Sequence, residues 1–236
     1  KEYSSATLSR TISTVHIFVE YLWMEKIIPN RINIDVHIDK EEHQDLVIFT
    51  RQEISKILDV KTHNLIGYRD KAIFELSYSI GIKPTECINL ELRDVNTTIG
   101  YLKYRKKDGY RTIALNKESV EAIENYIVEL KKEYPNIKDD SKLFLNHDGE
   151  GISRQGFWKI FKKRQQDLGL TKELNTMNFR NSLAIHLLED KVPAEEVQEL
   201  LGLKNIHSLK LYFSSLEGNK SKRTMTNHPR KTINKG

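Results

Sequence analysis

The chain has 236 residues, enough for one large domain or for a domain with part of another. Lysine and arginine number 38 against 33 aspartate and glutamate, so the charge of +5 and the pI near 9.0 favour a polyanionic partner without identifying one. The single cysteine, Cys87, excludes an internal disulfide bond. No run of about eighteen apolar residues occurs, so we expect a soluble, cytoplasmic protein without a membrane span or signal peptide. Because the sequence starts at Lys1 and enters a helical pattern at once, we also expect it to be part of a longer protein.

The first organised segment is an amphipathic helix that ends before Pro29. Its apolar residues recur three or four apart, which predicts that one face docks on another element: Leu8, Ile12, Val15, Phe18, Val19, Leu22 and Trp23. The stretch 34–48 has no helical period and many charges, which indicates an interdomain linker. Thr50 followed by Glu53 is a capping-box pattern and predicts the start of the next domain's first helix.

Helical patterns dominate the remainder, with one interruption. The helices are predicted over 64–80 with Gly81 as C-cap, from Pro84, over 117–132, from Ser153, over 178–188, over 193–201 and around Tyr212. Between them, "GYLKYRKKDGYRTIALN" alternates around Asp108-Gly109, which predicts a hairpin in a sheet of two or three strands. The predicted fold class is therefore mostly α with a small antiparallel β-sheet. Residues 217–236 read as a mobile basic tail.

The sequence lacks the motifs of several common phosphate-binding, metal and cofactor sites. There is no glycine-rich phosphate loop, no HExxH and no paired cysteine or histidine at zinc spacing, so we expect neither a cofactor nor a metal. The remaining candidates are cationic residues and one tyrosine, a set that could act on a phosphodiester without a metal.

The run "NFRNSLAIHLLEDKVPAEEVQELLG", followed by "LKLYF", resembles two signature boxes of the tyrosine recombinase (phage integrase) family. Those boxes read approximately H-x-L-R-H-T-x-A-T-H-L-L-E and V-x-x-V-Q-x-L-L-G-H, with a tyrosine nine residues after the last histidine. Arg180 matches the box-two arginine, His186 the helix histidine, Gly202 the box-three glycine and Tyr212 the nucleophile. In the family, the position of His186 serves helix packing rather than the phosphate.

The resemblance extends upstream. "SIGIKPTECINLELRDV" is similar to the first box, with Gly81, Glu86, Leu90 and Asp94 matching and Lys83 in place of its arginine. The hairpin resembles the one that carries the family's catalytic lysine just before the turn, which makes Lys107 the first choice and Lys106 the alternative. The resemblance implies the end of a helical DNA core-binding domain over 1–33 and a catalytic domain over 49–216.

The family's chemistry implies roles for these residues. The tyrosine attacks a backbone phosphate, forming a 3′-phosphotyrosyl bond and freeing a 5′-hydroxyl. Arginines and histidines stabilise the charge on the phosphate, and the lysine protonates the leaving oxygen. Here three positions depart: Lys83 replaces an arginine, while Met177 and Leu203 replace histidines. Polar residues that could compensate are Asn178, Asn181, Lys204 and His207.

The leading hypothesis is DNA strand breakage and rejoining through Tyr212, slow or atypical, at a specific site of a mobile element, phage or plasmid. The partner would be double-stranded DNA, with a homo-oligomer formed by exchange of C-terminal segments. A relaxase that nicks at a transfer origin fits the same residues. The alternatives from other classes are an inactive DNA-binding protein of the same fold and a helical protein with no DNA role.

Overall fold

The computed structural model describes residue 3 and residues 5–36, 46–106, 109–203 and 205–216. Lys107, Lys204 and the basic tail lie outside the described residues, as does the side chain of His207. The helices within these ranges are α1 (Ser5–Met24), α2 (Arg51–Leu58), α3 (Leu65–Ile80), α4 (Pro84–Cys87), α5 (Lys117–Glu133), α6 (Arg154–Asp167), α7 (Thr176–Glu189) and α8 (Ala194–Leu201). Two 3-10 turns occupy Leu92–Asp94 and Ile206–Leu209, and residues 210–216 are helical.

The strands of the described residues form one antiparallel sheet in the order β1 (Val95–Asn96), β2 (Tyr101–Lys106) and β3 (Gly109–Ala114). In β2 and β3, Tyr104 lies opposite Arg111 and Lys106 opposite Gly109. The prediction of a mostly helical fold with a small antiparallel sheet is confirmed, and β1 is the third strand that the sequence left open.

The chain divides into two compact units, Lys1–Asp45 and Leu46–Gly236. Within the described part of the first unit, Arg31 pairs with Glu20 at 3.0 Å and its guanidinium lies over the ring of Trp23. The apolar side chains of α1 are largely exposed, Phe18 at 58%, so its docking on a partner element stays a prediction.

The second unit is built around α3, which packs against α5 and α7. Capping explains where its helices begin: Thr50 and Glu53 form the predicted capping box of α2, and Asn64 caps α3. Helix α3 ends at Gly81, whose φ of 59° lies in the left-handed region that glycine accepts without strain.

Helix α7 lies at the centre of the second unit. An unbroken run of its residues is buried, from Asn178 to His186, and the ring of Phe179 contacts Phe49, Phe74 and Phe161. A helix enclosed on every side has no polar face in water, so each polar residue within the run requires a partner inside the protein. Arg180 and Asn181 belong to that run.

Candidate functional site

Arg180 is held rigidly inside the protein. It is 7% exposed, and its guanidinium donates to the backbone carbonyl of Gly81 at 2.6 Å through Nη1 and to that of Leu201 through Nη2. Burial lowers its pKa, while the nearby Tyr212 and Glu86 act in the opposite direction. Gly81 permits this approach because a Cβ on that residue would lie 3.2 Å from Cγ of Arg180. The arginine thus ties the end of α3 to the end of α8 and places a positive charge between them.

Tyr212 is brought to the same place by the helical residues 210–216. Its side chain is 7% exposed, and its hydroxyl donates to Oδ1 of Asn181, the residue after Arg180, at 3.1 Å. Burial raises the pKa of Tyr212, and the positive charge of Arg180 opposes that rise. The structure therefore brings together Arg180 and Tyr212, which are far apart in the sequence.

Lys106 reaches the site from the end of β2. Side chains alternate along a strand, so Lys106 shares the inward face with Leu102 and Tyr104, both buried. Its ammonium lies 3.6 Å from a carboxylate oxygen of Glu86. Burial lowers the pKa of Lys106, Glu86 raises it, and the positive charges of Arg111 and Lys83 lower it further.

Lys83 stands at the edge of this group. It precedes α4, its side chain is exposed, and its backbone amide donates to Glu86 at 3.1 Å. Its charge is close enough to affect Lys106, but it does not share the burial of Arg180. Lys83 therefore sits on the rim of the site, with Glu86 between it and the sheet.

Arg111 was missed in the sequence. Its Nη2 donates to the carbonyls of Glu199 and Leu200, the latter at 2.8 Å, in the last turn of α8. A Cβ on Gly202 would lie 2.5 Å from Nη1 of Arg111 and 2.9 Å from the ammonium of Lys106. The sequence could have indicated it, because side chains alternate along a strand and Arg111 lies two residues before Ile113. Its side chain is therefore on the same face of the sheet as the buried Ile113.

The other candidate residues are distributed differently. Met177 is 62% exposed and Leu203 packs at the edge of the small core around α7 and α8. Asn178 is buried, with its side chain donating to the carbonyl of Glu173 at 2.8 Å. His186 lies 2.7 Å from the hydroxyl of Tyr78, and burial lowers its pKa. His186 and Asn178 thus each have a hydrogen-bond partner within the protein, and the packing role expected for His186 stays a prediction.

The arrangement can bind an anion next to a buried tyrosine hydroxyl. The Lys106 ammonium lies 3.6 Å from the carboxylate of Glu86, and the positive charges of Arg180 and Arg111, from two further elements, lie near this pair. Guanidinium groups match phosphate, like carboxylate, in shape and charge. Within the described ranges, no group of three or more His, Cys, Asp and Glu side chains could hold a metal ion. In the same part of the chain, no helix is both long and apolar enough to span a membrane.

Comparison with known proteins gives a consistent result. The model of the phage integrase family matches residues 48–218. The tyrosine recombinase XerD of Oceanobacillus iheyensis is 30% identical over 230 residues, covering 96% of this chain and 77% of that protein.

Two solved structures share the fold. The crystal structure of XerA recombinase superposes with a TM-score of 0.64 at 18% identity, covering 96% of this chain and 77% of that one. The Tn1549 transposon integrase in complex with circular intermediate DNA gives a TM-score of 0.67 at 16% identity, covering 92% and 79%.

Proposed function

The chain belongs to the phage integrase family of tyrosine recombinases, and we propose that it breaks and rejoins DNA strands through a covalent bond to Tyr212. The observation that carries the proposal is that the Tyr212 hydroxyl lies beside the buried Arg180, whose guanidinium binds the end of α8, and that Lys106 of the hairpin reaches the same end of α8. Each of these groups comes from a different element, so the grouping is a property of the fold and not of one local segment.

In the first step, the Tyr212 oxygen attacks a backbone phosphorus in line. The new P–O bond to tyrosine forms as the P–O5′ bond breaks, leaving a 3′-phosphotyrosyl link and a 5′-oxygen that takes up a proton. The tyrosine proton leaves to solvent or to a neighbouring acceptor. Rejoining is the reverse: a 5′-hydroxyl attacks the phosphotyrosine and releases Tyr212. Because the phosphoester link is kept throughout, no nucleotide energy source is needed.

Arg180 is the residue we assign to the non-bridging phosphate oxygens. Its position is fixed by two backbone carbonyls, so the guanidinium does not have to be ordered when DNA binds, and its N–H groups outside those two bonds are available to a phosphate. Lys83, exposed on the rim, adds a charge but lacks the fork of an arginine. Two family histidines are replaced by Met177 and Leu203, and loss of one such donor commonly lowers a rate by about 10²-fold. We therefore expect slow cleavage.

The proton for the leaving oxygen comes from the hairpin. Lys107 is the first choice from the sequence and lies outside the described residues. Lys106 has support from the geometry, because it faces inward beside Glu86 and its lowered pKa eases release of a proton. We assign the acid to Lys106 and keep Lys107 as the alternative that mutation distinguishes.

The proposed substrate is double-stranded DNA at a specific site of a mobile element or plasmid. Relatives named as XerD recombinases and a structure of a transposon integrase with DNA support this class of substrate. We propose that synapsis uses a homo-oligomer that exchanges C-terminal segments. Nicking at a transfer origin, as a relaxase does, uses the same chemistry on one strand.

A second candidate is an inactive DNA-binding protein of the same fold. It is favoured by the burial of Tyr212 and by the substitutions at Met177 and Leu203. Such a protein would keep the cations for affinity, and its binding would weaken steeply with salt because phosphate contacts release counterions.

The experiment is a trap for the covalent intermediate. A duplex nicked close to the site loses its short 5′-hydroxyl fragment after cleavage, so rejoining fails and the adduct accumulates. We expect a denaturant-resistant protein–DNA adduct with the native protein and none with Tyr212→Phe, while Tyr110→Phe, an exposed tyrosine on β3, retains it. Saturated DNA without any adduct would support the inactive alternative.

A further inference from the structure

Two arginines from distant segments meet at the last turn of α8. Arg180 donates to the carbonyl of Leu201, and Arg111 donates to those of Glu199 and Leu200. The final carbonyls of a helix have no partner within the helix and carry partial negative charge, so guanidinium groups suit them well. Arg180 already has a role in the proposed reaction, whereas Arg111 has none.

Arg111 is also the link between the sheet and α8. It lies opposite Tyr104 in the register of β2 and β3, on the same inward face as Lys106. Its Nη1 and the ammonium of Lys106 both crowd the backbone of Gly202, at 2.5 and 2.9 Å from where a Cβ would stand. The glycine, with φ of 59°, is the only residue type that gives both side chains room there without strain.

Because Lys106 and Arg111 carry like charges, each needs a partner elsewhere to stay close to the other. Their positive charges repel, and the charge of Arg111 lowers the pKa of Lys106. The ammonium of Lys106 is drawn to Glu86 at 3.6 Å, while Arg111 is anchored by two carbonyls on the opposite side. Without that anchor, the hairpin would have no polar bond from this position to α8.

We propose that Arg111 is a positioning residue that docks the hairpin against α8 and so holds Lys106 over the leaving oxygen of the cleaved phosphate. This inference rests on the proposed function and extends it to one residue that acts through another. Arg111 need not touch DNA. Its effect on the reaction should therefore depend on whether the leaving group requires a proton.

The test replaces the 5′-bridging oxygen of the cleaved phosphate with sulfur. A thiolate leaves without protonation because thiols are far more acidic than alcohols, so a defect in proton delivery disappears on this substrate. With the oxygen substrate, Arg111→Ala and Lys106→Ala should each lower the rate of adduct formation by about 10²-fold, the scale of an ångström-sized misplacement. With the sulfur substrate, both variants should form adduct at a rate within about threefold of that of the native protein on the same substrate.

The matched control is Arg105→Ala, which removes an exposed arginine from the outward face of β2 and should leave the ratio of the two substrates' rates unchanged. If Arg111→Ala does not fold, as judged by its melting curve, Arg111→Gln replaces it, since glutamine is shorter than arginine and uncharged but keeps a polar side chain at this position. If the Arg111 variants lower the rate of adduct formation by the same factor on the oxygen and the sulfur substrate, this inference is contradicted while the proposed function stands. Absence of adduct from the native protein on either substrate would overturn the proposed function, and this inference with it.

Discussion

The hydroxyl of Tyr212 donates a hydrogen bond to Oδ1 of Asn181 across 31 residues of sequence. Asn181 directly follows Arg180 on α7, so consecutive residues of one buried helix hold the tyrosine and supply the charge beside it. A tyrosine anchored in this way keeps its ring in one orientation. In the proposed reaction Tyr212 is thus ordered before DNA binds, and its hydroxyl must leave Asn181 to pass its proton to a base or to solvent, because an amide oxygen accepts a hydrogen bond but is not a base.

The Asn181–Tyr212 bond should be measurable as a coupling energy. Asn181→Ala leaves a buried hydroxyl without this partner, at a cost of about 1–3 kcal/mol, and Tyr212→Phe removes the donor. In a double-mutant cycle by urea unfolding, we expect the double variant to lose about 1 kcal/mol less than the sum of the single losses. Losses that add to within about 0.5 kcal/mol would show that the bond does not form in solution.

Arg180→Lys should separate catalysis from affinity. Lysine keeps the charge but cannot bond both the Gly81 and Leu201 carbonyls in the fixed fork of arginine. We expect adduct formation to fall by about 10²-fold or more, because the preorganised donors matter most in the transition state. Duplex affinity in a gel shift should fall much less.

The control for Arg180→Lys is Arg93→Lys, at an exposed arginine paired with Glu91. It should change neither measurement. Parallel losses of affinity and cleavage in Arg180→Lys would contradict the catalytic assignment.

Gly202→Ala tests the crowding at the end of α8. The φ of 59° costs a non-glycine residue about 1–2 kcal/mol, and the new Cβ also displaces Arg111 and Lys106. Gly169 provides the matched control, because its φ is also 59° but nothing lies within 4 Å of its Cβ position. We expect similar falls in melting temperature for both alanine variants and loss of adduct only for Gly202→Ala. Equal cleavage by the two variants would argue against a site at Gly202.

The pH dependence of cleavage should report Lys106. As an acid, Lys106 must be protonated, so the rate falls when the pH rises through its pKa, which burial has lowered. Glu86 raises that pKa, and therefore Glu86→Gln should move the alkaline fall to lower pH. Glutamine still accepts the bond from the Lys83 amide, so the local fold is kept.

Glu129→Gln, which breaks an exposed ion pair with Lys132 on α5, serves as the control for charge alone. It should leave the pH profile of adduct formation in place. An unchanged pH profile of adduct formation in Glu86→Gln would exclude Lys106 as the acid and favour Lys107.

Local signals in the sequence were sufficient for most of the fold. The capping box at Thr50, the left-handed Gly81 and the alternation around Gly109 each depend on neighbours in the chain, and all three are present in the structure. The family spacing likewise singled out Arg180 and Tyr212, which lie close together in the structure, while their catalytic roles stay predictions. These features could be predicted because short-range geometry or a fixed motif determines them.

Contacts between distant elements could not be obtained in this way. The choice between Lys106 and Lys107 depends on which face of the sheet turns inward, and the burial of Leu102 and Tyr104 shows that Lys106 lies on that face. The role of Arg111 depends on how α8 packs against the sheet, and the bond from Tyr212 to Asn181 on how residues 210–216 return to α7. No pattern within one segment of the sequence specifies which distant segment it will contact.

The most direct test of covalent cleavage is to identify the amino acid joined to DNA. Adduct trapped on the nicked duplex would be digested with a protease, and the DNA-linked peptide sequenced by mass spectrometry. We expect a single modified residue, Tyr212, attached to the 3′-phosphate of the cut strand, with a free 5′-hydroxyl on the other fragment. Attachment through another residue, through a 5′-phosphate, or no attached peptide from fully bound DNA would contradict the account.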